Sequence, residues 1–341
     1  MLKAYDYVEY SPDSSSLQNP QYFEKELEIA KSVVKRIYKK KAEFCCCPAC
    51  RSSKISHFCD KWKVEYLHCD DCETVFVAAD REELEQYSQS EELMEFRISK
   101  EYQQEAAQKR EITWMESADW ITFRVYRYLG KNTGLSVVDI GNRYEGYIDM
   151  VKELPLTGSY TLKESILHQK EQLNDNREKT ERADIVLYLN QIQRSLKPLE
   201  KLKEIYTDMK PGALLFFSTR MGTGFDVLTL KEHSKIFPYE HVFLPSKMGM
   251  ERILSKAGFE ILEYSTPGRM DVGTVARQTD KIAGDNYFIR SLMKNGDRSS
   301  LAEFQRFLQK SGMSSYAQIV AQKPVSCASN LDKNGEKDGK N

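Results

Sequence analysis

Four cysteines are spaced as two pairs that could bind a metal ion. Cys47 and Cys50 form one Cys-x-x-Cys pair, and Cys69 and Cys72 form a second after a gap of eighteen residues. Two such pairs can place four thiolates at the corners of a tetrahedron around Zn²⁺, with Zn–S distances of about 2.3 Å. Because four thiolates leave no open coordination position, we expect a zinc ion that builds structure and takes no part in chemistry.

Other potential ligands lie near the two pairs. Seven of the eight cysteines fall between Cys45 and Cys72, and such clustering in a chain without an export signal favours a metal over disulfides. The remaining candidates have less suitable spacing, and we interpret them as spare: Cys45, Cys46, Cys59, His57 and His68. The alternatives are a redox dithiol, which would need only one pair, and a chance spacing.

Residues 135–150 have the pattern of a buried strand that turns into a helix. The apolar run ends in Asp139-Ile140-Gly141, and apolar residues then recur at helical spacing from Tyr147 onwards. In a turn of this kind, backbone N–H groups and a helix N-terminus can face a ligand, and glycines such as Gly141 and Gly146 permit its close approach. A strand, turn and helix without a ligand would fit the same residues.

Composition limits the function classes. The chain has 341 residues and a formal net charge of −1, so charge gives no reason to expect a nucleic acid or an anionic membrane as partner. No apolar run approaches the roughly 20 residues of a transmembrane helix, and residues 1–13 lack the layout of a signal peptide. We therefore expect a soluble, cytoplasmic protein.

The N-terminal region contains one clear helix signal. Residues 1–19 are polar and without periodicity, as in a mobile arm. Asn19 and Pro20 then form a helix start, and the apolar residues that follow recur every three or four positions: Phe23, Leu27, Ala30, Val34 and Ile37. This stripe either packs on its own protein or forms a short self-association seam.

The rest of the chain alternates between strand and helix patterns. Strands are predicted at 64–68, 74–77, 159–164, 183–189, 213–218, 259–264 and 314–323. Helices are predicted at 82–108, 199–209 and 246–257, and a capping box at 300–303 opens another. A turn is predicted at 210–212. This alternation indicates a mainly parallel sheet with helices on both faces and ligands at the carboxyl ends of its strands.

The order of these features resembles a known family. A Cys-Pro-x-Cys knuckle, a strand, a Cys-x-x-Cys knuckle with a Val-Phe-Val run, a Glu-Glu-Leu helix containing Tyr87 and a strand ending in Asp-x-Gly follow one another. Together they resemble class I S-adenosylmethionine-dependent methyltransferases with an N-terminal zinc-binding segment, which are related to bacterial sugar C-methyltransferases. The resemblance covers roughly residues 44–323.

This resemblance implies the fold and its division into segments. The expected fold class is α/β, with a class I methyltransferase-like (Rossmann-like), mainly parallel sheet preceded by a small zinc ribbon and an N-terminal helix. The expected segments are a mobile arm and amphipathic helix (1–43), a zinc ribbon (44–80), a helical linker (81–130), a methyltransferase-like domain (131–323) and a disordered tail (324–341).

The resemblance also implies site residues. Asp139, Gly141 and Gly146 would lie at the cofactor loop, with Asp139 and Gly141 at the methionine end of S-adenosylmethionine. Glu164, at the end of the next strand, would accept hydrogen bonds from both ribose hydroxyls. Residues 237–243 resemble a stretch that faces the substrate in sugar C-methyltransferases, and it contains Glu240 and His241.

In that stretch His241 would act as the base, with Glu240 beside it. The family's tyrosine, two positions before Glu240, is replaced here by Pro238, and Tyr239 stands next to it. The alternative is that His241 only packs or hydrogen-bonds to the backbone.

Three features depart from the family pattern. Arg143 and Glu145 stand where the family loop has glycine. Only 20 positions separate Glu164 from Asp184, and each crossover alone takes at least about 10 residues, so a strand and a helix have been lost or shortened to a loop. The family's Glu-His pair is replaced by Gln193-Arg194.

A Pro-Gly-x-x-Asp-Val stretch at 267–272 also matches the family. Its Pro-Gly is typical of a turn, while Arg269 or Asp271 could instead contact an acceptor. A purely structural turn is the simpler interpretation.

The sequence therefore predicts an S-adenosylmethionine-dependent methyltransferase acting on a sugar or other small polar acceptor, such as a nucleotide sugar. The alternative is a catalytically inactive relative that serves as a zinc-bearing scaffold or regulator. Nucleic-acid binding through the ribbon is disfavoured by the near-zero net charge and by Asp70 and Asp71.

Overall fold

A computed structural model describes residues 20–39, 46–131, 133–141, 145–163 and 182–325. The predicted arm at 1–19, Glu164 and the shortened crossover after it, and the tail beyond residue 325 lie outside the described residues.

Eleven α-helices lie in the part of the chain that is described. They are α1 (Pro20–Ile37), α2 (Arg81–Ser88), α3 (Glu91–Ile98), α4 (Lys100–Leu129), α5 (Glu145–Glu153), α6 (Pro198–Thr207), α7 (Phe225–Leu230), α8 (Lys247–Ala257), α9 (Asp271–Ala276), α10 (Tyr287–Asn295) and α11 (Arg298–Ser311). None of these described helices is both long and apolar enough to cross a lipid bilayer.

Ten strands form two sheets. They are β1 (Ile55–Lys61), β2 (Val64–Cys69), β3 (Val75–Val77), β4 (Leu135–Ile140), β5 (Thr157–Lys163), β6 (Ala183–Leu189), β7 (Met209–Arg220), β8 (Phe243–Leu244), β9 (Glu260–Ser265) and β10 (Tyr316–Gln322). The small sheet has the order β1-β2-β3-β8, and the large sheet has the order β5-β4-β6-β7-β10-β9.

The large sheet confirms the predicted fold class. β4 runs parallel to β5 and β6, and β6 runs parallel to β7, whereas β10 is antiparallel to both β7 and β9. Its central strands are buried on both faces, as the near-continuous apolar sequence of residues 185–188 requires. The architecture is α/β with a mainly parallel sheet, next to a small cysteine-bearing sheet.

The predicted turn at 210–212 is wrong. β7 begins at Met209 and runs through these residues, with Gly212 at φ +82° and an irregular register opposite Ala183 and Ile185. The Gly212 N–H donates to Lys323 O at 2.8 Å, and Gln322 Nε2 donates to Gly212 O. The strand accommodates the glycine as a local irregularity because β10 and the residue after it supply these partners.

The predicted capping box at 300–303 is also wrong. α11 begins at Arg298, and the carboxylate of Asp297 caps it by accepting the Ser300 N–H at 2.7 Å. Ser300 therefore lies inside the first turn, because the acidic side chain three positions earlier already serves as the cap.

The small sheet is completed by a distant segment. β3 pairs with β8 through Val75 opposite Leu244 and Phe76 opposite Phe243, and the Val77 N–H donates to Val242 O at 2.9 Å. β1 escaped prediction because its residues alternate poorly between apolar and polar. The cysteine-bearing sheet is thus joined to the large α/β unit by main-chain hydrogen bonds.

The N-terminal stripe packs within its own chain. Ala30, Val33 and Val34 of α1 are fully buried, and α1 contacts α2 and α3. This is one of the two predicted uses of the stripe, and self-association stays an untested prediction.

The side chains of the Pro-Gly-x-x-Asp-Val stretch contact other parts of the same chain, as expected for a structural turn. The guanidinium of Arg269 forms a bidentate ion pair with the carboxylate of Glu116 in α4, and both N–O distances are 2.9 Å. Asp271 is buried and accepts hydrogen bonds from Ser314 Oγ, from Ser315 N and Oγ, and from Gln305 Nε2, at 2.6 to 3.0 Å. This carboxylate ties α9 to α11 and to the start of β10.

We expect Asp271→Ala to lower the free energy of unfolding by about 3 kcal/mol or more, because it leaves several buried donors without an acceptor. Urea unfolding followed by circular dichroism measures this change. Asp280→Ala is the matched control, since the Asp280 side chain is 71% exposed. If Asp271→Ala lowers the free energy of unfolding by less than about 1 kcal/mol, the donors that Asp271 satisfied have found other acceptors.

Candidate functional site

The four cysteines of the two pairs converge as predicted. The sulfurs of Cys47, Cys50, Cys69 and Cys72 all lie within 4.8 Å of one another. Cys47 Sγ lies 3.6 Å from Cys72 Sγ, and Cys50 Sγ lies 3.5 Å from Cys69 Sγ. A tetrahedral zinc ion with Zn–S bonds of about 2.3 Å needs sulfurs about 3.8 Å apart, so the donor set fits zinc.

The backbone of each pair makes a tight knuckle. The Arg51 N–H donates to Cys47 O and the Glu73 N–H donates to Cys69 O, at 2.9 and 2.7 Å. Both Arg51 and Glu73 adopt positive φ, at 71° and 59°. These turns aim both sulfurs of a pair at one point.

A divalent cation would balance the charge of these sulfurs. The hydrogen bond with Cys72, together with burial, raises the pKa of Cys47, and burial raises the pKa of Cys69 to about 11. Four thiolates in this setting require a counter-charge, and a zinc ion held by these side chains would supply it while leaving no position for a substrate.

Helix α8 contacts both knuckles. The Ser246 hydroxyl at its N-cap donates to Cys72 O, and Lys256 Nζ donates to Cys50 O at 3.0 Å. A metal at the four sulfurs would therefore stabilise the contact between the small sheet and the α/β unit as well as the knuckles themselves.

The spare ligands do not join this site among the described residues. Cys59 is buried in a separate apolar cluster, and burial raises the pKa of its thiol to about 12. His68 contacts Asp70 at 3.1 Å, and His57 lies with Asp60 and Glu65 in a largely exposed group. Cys45 lies outside the described residues.

The large sheet has a topological switch point at β4. The chain leaves β4 for β5 on one side, whereas β6 lies on the other. In α/β sheets the crevice at the carboxyl ends of such strands is the usual ligand site. Gly141 follows β4 there with φ +81°, and Asn190 follows β6 with φ +56°.

Gln191 closes this crevice from the β6 side. A Cβ at Gly141 would lie 2.7 Å from Gln191 Cδ and Oε1, so a larger residue at position 141 would require the end of the Gln191 side chain to move. Gln191 Oε1 is buried, and no hydrogen-bond partner for it lies in the part of the chain that the structure describes. Sequence analysis missed Gln191 because no pattern in its neighbourhood signals a contact with residue 141, fifty positions away.

The other predicted cofactor residues have different environments. Asp139 is 2% exposed, and its Oδ2 accepts a hydrogen bond from Tyr160 Oη at 3.0 Å. Gly146 lies in the first turn of α5. Glu164 and Arg143 lie outside the described residues, so the structure places neither of them.

The three predicted catalytic residues are all engaged with the N-terminal half of the chain or with the backbone. Tyr239 Oη donates to Glu83 Oε2 at 3.0 Å. Glu240 accepts from Tyr87 Oη at 3.0 Å and from Arg97, and Arg194 Nη2 lies 3.7 Å away. Although burial opposes it, the charges of Arg97 and Arg194 hold the pKa of Glu240 at about 2.

The ring of His241 is buried and neutral. Its Nδ1 accepts the Phe237 N–H at 2.9 Å, which assigns the remaining proton to Nε2. Burial and the nearby charge of Arg220 lower the pKa of His241 to about 3. A base role at His241 stays a prediction, and in this arrangement neither ring nitrogen carries a free lone pair.

A groove of 600 Å³ lies elsewhere, between α4 and the amino ends of β4 and β5. Its walls include Phe123, Tyr126 and Leu156. It lies at the opposite end of the strands from the switch point and gathers none of the predicted site residues.

The strand order and the cysteine cluster define an α/β protein with a mainly parallel six-stranded sheet and a tetracysteine site. No protein-family model and no curated protein sequence matches the chain. The solved structures similar to it include the cyclase SpnF, at 16% identity and a TM-score of 0.34, covering 62% of this chain and 84% of that one.

Two further similar structures are methyltransferases. The plantazolicin methyltransferase BpumL in complex with SAH has 14% identity and a TM-score of 0.39, covering 71% of this chain and 94% of that one. Phosphoethanolamine N-methyltransferase 2 of Haemonchus contortus has 16% identity and a TM-score of 0.36, covering 59% and 51%. With likenesses this low, the fold class stands on the strand order described above.

We expect Cys47→Ser and Cys72→Ser to lose bound zinc and to unfold at lower temperature, because structural zinc contributes on the order of 10 kcal/mol in small sites. Metal analysis of the purified protein and thermal unfolding measure both effects. Cys59→Ser is the matched control and should keep about one equivalent of zinc. Equal zinc content in all three variants would contradict the assignment.

We expect acid to destabilise the protein through His241. Its pKa is about 3 in the folded state and about 6.5 in the unfolded chain, so only the unfolded chain gains a proton between these values. The free energy of unfolding should fall by about 1 kcal/mol from pH 6.5 to 5.5 on this account.

Urea titrations at several pH values check this slope. His241→Gln should remove it, because glutamine keeps an acceptor for Phe237 but does not titrate. His233→Gln is the control, since the His233 side chain is 42% exposed. An unchanged slope in His241→Gln would mean that the imidazole is not responsible.

Proposed function

We propose that this chain is an S-adenosylmethionine-dependent methyltransferase that acts on a small polar acceptor. The observation that carries the proposal is the crevice at the switch point, where the glycine turn at Gly141 meets Gln191, whose Oε1 is buried and unpaired. A ligand with a hydrogen-bond donor would satisfy this oxygen, and the α-amino group or adenine of the cofactor has such donors.

Several residues of the chain would hold this cofactor. The turn at Gly141 allows close approach of the backbone, the N-terminal turn of α5 with Gly146 follows it, and Gln191 faces it from β6. Asp139, two residues before Gly141, would be held in position by the hydrogen bond that it accepts from Tyr160 Oη. Glu164 is the proposed hydrogen-bond partner of the ribose hydroxyls. When bound, the cofactor supplies a methyl group on a sulfonium.

The acceptor side would lie beyond the carboxyl ends of β6 and β7. The segment of Tyr239, Glu240 and His241 covers this edge, and its side chains are fixed by Glu83, Arg97 and Phe237. Their contribution would be to position the acceptor and exclude water, which is the main source of rate in such a transfer. A sugar, including a nucleotide sugar, belongs to the proposed acceptor class.

A second candidate is a catalytically inactive scaffold that keeps the fold and the metal site. It is favoured by the contact of the Gln191 side chain with Gly141, which occupies the space next to the glycine turn. It is also favoured by the internal hydrogen bonds of Asp139 and His241. Under this candidate the crevice would bind no cofactor.

Calorimetric titration of the zinc-loaded protein with S-adenosylmethionine and with S-adenosylhomocysteine separates the two candidates. We expect binding, and we expect Gly141→Ala to weaken it at least about tenfold. The added Cβ would lie 2.7 Å from the end of the Gln191 side chain, which would have to leave the position in which it faces the proposed cofactor.

Gly130→Ala is the matched control for this test. Gly130 also has positive φ, at 62°, but a Cβ there meets nothing within 4 Å. Both variants should lose about 1 kcal/mol of stability from the left-handed conformation, and only Gly141→Ala should lose affinity. No heat with either ligand, from a folded protein, would favour the scaffold.

A further inference from the structure

Buried polar atoms without partners are concentrated at one place. Four side-chain atoms there are buried and have no hydrogen-bond partner among the described residues: Tyr66 Oη, Arg194 Nε, Arg220 Nε and Asp226 Oδ1. Buried polar atoms are nearly always paired, since an unpaired one costs about 1 to 3 kcal/mol. Four of them in one region indicate that something else pairs with them.

The four residues come from four elements that meet at the carboxyl edge of the large sheet. Arg220 ends β7, Arg194 follows β6, Asp226 lies in α7, and Tyr66 lies on β2 of the small sheet. Gln193 links the first two, since its Oε1 accepts the Arg220 N–H at 2.9 Å. Burial raises the pKa of Tyr66, and the charge of Arg220 opposes this rise, so these two side chains lie near each other.

Cationic and acidic side chains lie together in this region. Arg220 pairs with Asp226 through Nη2, and Arg194 faces Glu240. Burial, with a contribution from the charge of Arg220, lowers the pKa of Lys61 to about 8. Burial and the charges of Arg277 and Arg220 lower the pKa of Lys235 to about 8. Lys61 Nζ donates only to neutral backbone carbonyls, of Glu232 and Ser234, among its hydrogen bonds to described residues.

The chemistry of the unpaired atoms specifies a ligand. Both arginine Nε–H groups and the Tyr66 hydroxyl can donate, so they match the oxygens of an anion. Asp226 Oδ1 can only accept, so it matches a hydroxyl or amine next to that anion. The same four atoms would fit neither a purely apolar molecule nor a simple cation.

We propose that this cluster binds an oxyanion, a phosphate or carboxylate, that the acceptor carries beside a hydroxyl or amine group. The proposal deepens the proposed function, on which it rests, because it gives the methyl acceptor an anionic substituent. The segment 190–194 joins Gln191 at the cofactor crevice to Arg194 at the oxyanion site, so both ligands would share one edge of the sheet.

Titration of the zinc-loaded protein with inorganic phosphate and with glycerol 3-phosphate tests this proposal, by calorimetry and by thermal unfolding. We expect both to bind, and glycerol 3-phosphate to bind more tightly because it carries hydroxyls next to the phosphate. Tyr66→Phe should weaken both by about tenfold, the usual loss for one hydrogen bond to a charged group.

Tyr66→Phe has a second expected effect that a structural role would not produce. Because the hydroxyl is buried without a partner, its removal should leave the unfolding temperature of the free protein unchanged or raise it. Tyr188→Phe is the matched control, a buried tyrosine of β6 outside the cluster, and it should leave phosphate binding unchanged. Arg194→Gln should reduce phosphate binding further.

The outcomes distinguish this proposal from the proposed function. Tyr66→Phe should bind S-adenosylmethionine as the wild type does. Phosphate binding that depends on Tyr66, without any cofactor binding, would support the oxyanion site and overturn the methyltransferase. No response to either phosphate up to millimolar concentration, or equal responses of wild type and Tyr66→Phe, would overturn the oxyanion site, as would a crystal structure with buried waters on all four atoms in the presence of phosphate.

Discussion

The buried carboxylate of Glu240 is the constraint on which the arrangement of this protein depends. Its partners come from three separate parts of the chain: Tyr87 of α2, Arg97 of α3 and Arg194 after β6. Arg97 also reaches Glu26 of α1, with an N–O distance of 2.9 Å. A buried charge is tolerated only when it is paired, and removal of one partner typically costs 3 to 5 kcal/mol. Three N-terminal helices are therefore held against the sheet edge by one charge.

The segment that contains Glu240 also covers the carboxyl edge of the large sheet. Three residues after Glu240 the chain forms β8, which adds a fourth strand to the small sheet. α8 follows directly, and its N-cap Ser246 and Lys256 bond to the two cysteine knuckles. A zinc ion would hold the two knuckles in place. Through the bonds of Ser246 and Lys256, the knuckles would then hold α8, and the preceding strand β8 would keep the small sheet next to the ends of β6 and β7. A metal at the four sulfurs would thus act on the polar edge without contributing a ligand to it.

The sequence was sufficient to predict those features whose signal is local. The two Cys-x-x-Cys pairs specify a metal site by spacing, and the apolar run at 183–189 specifies a buried strand because parallel strands have no polar face. It was insufficient where the partner is distant. Tyr66 lies on β2 of the small sheet, whereas Arg194 follows β6 and Arg220 ends β7 of the large sheet, and no periodicity in their own surroundings indicates that they lie in one region. The same holds for Gln191, which matters only because Gly141 lies opposite.

The contacts of Gln193 and Arg194 give a physical reason for one difference between this sequence and the family that it resembles. Gln193 and Arg194 stand where the family that the sequence resembles has a Glu-His pair. In the structure Gln193 accepts the Arg220 N–H and Arg194 faces Glu240, so both new side chains have partners and the second adds a positive charge. Decay of a site by random change would leave polar residues without organisation, whereas here they surround a set of matched, unpaired donors. The substitution is consistent with a change in the charge of the ligand, and for that reason it is weak evidence for the scaffold. The contact between Gln191 and Gly141 at the end of β4 does favour the scaffold, and it lies at a different place from the cluster around Arg220, so the loss of one site would not imply the loss of the other.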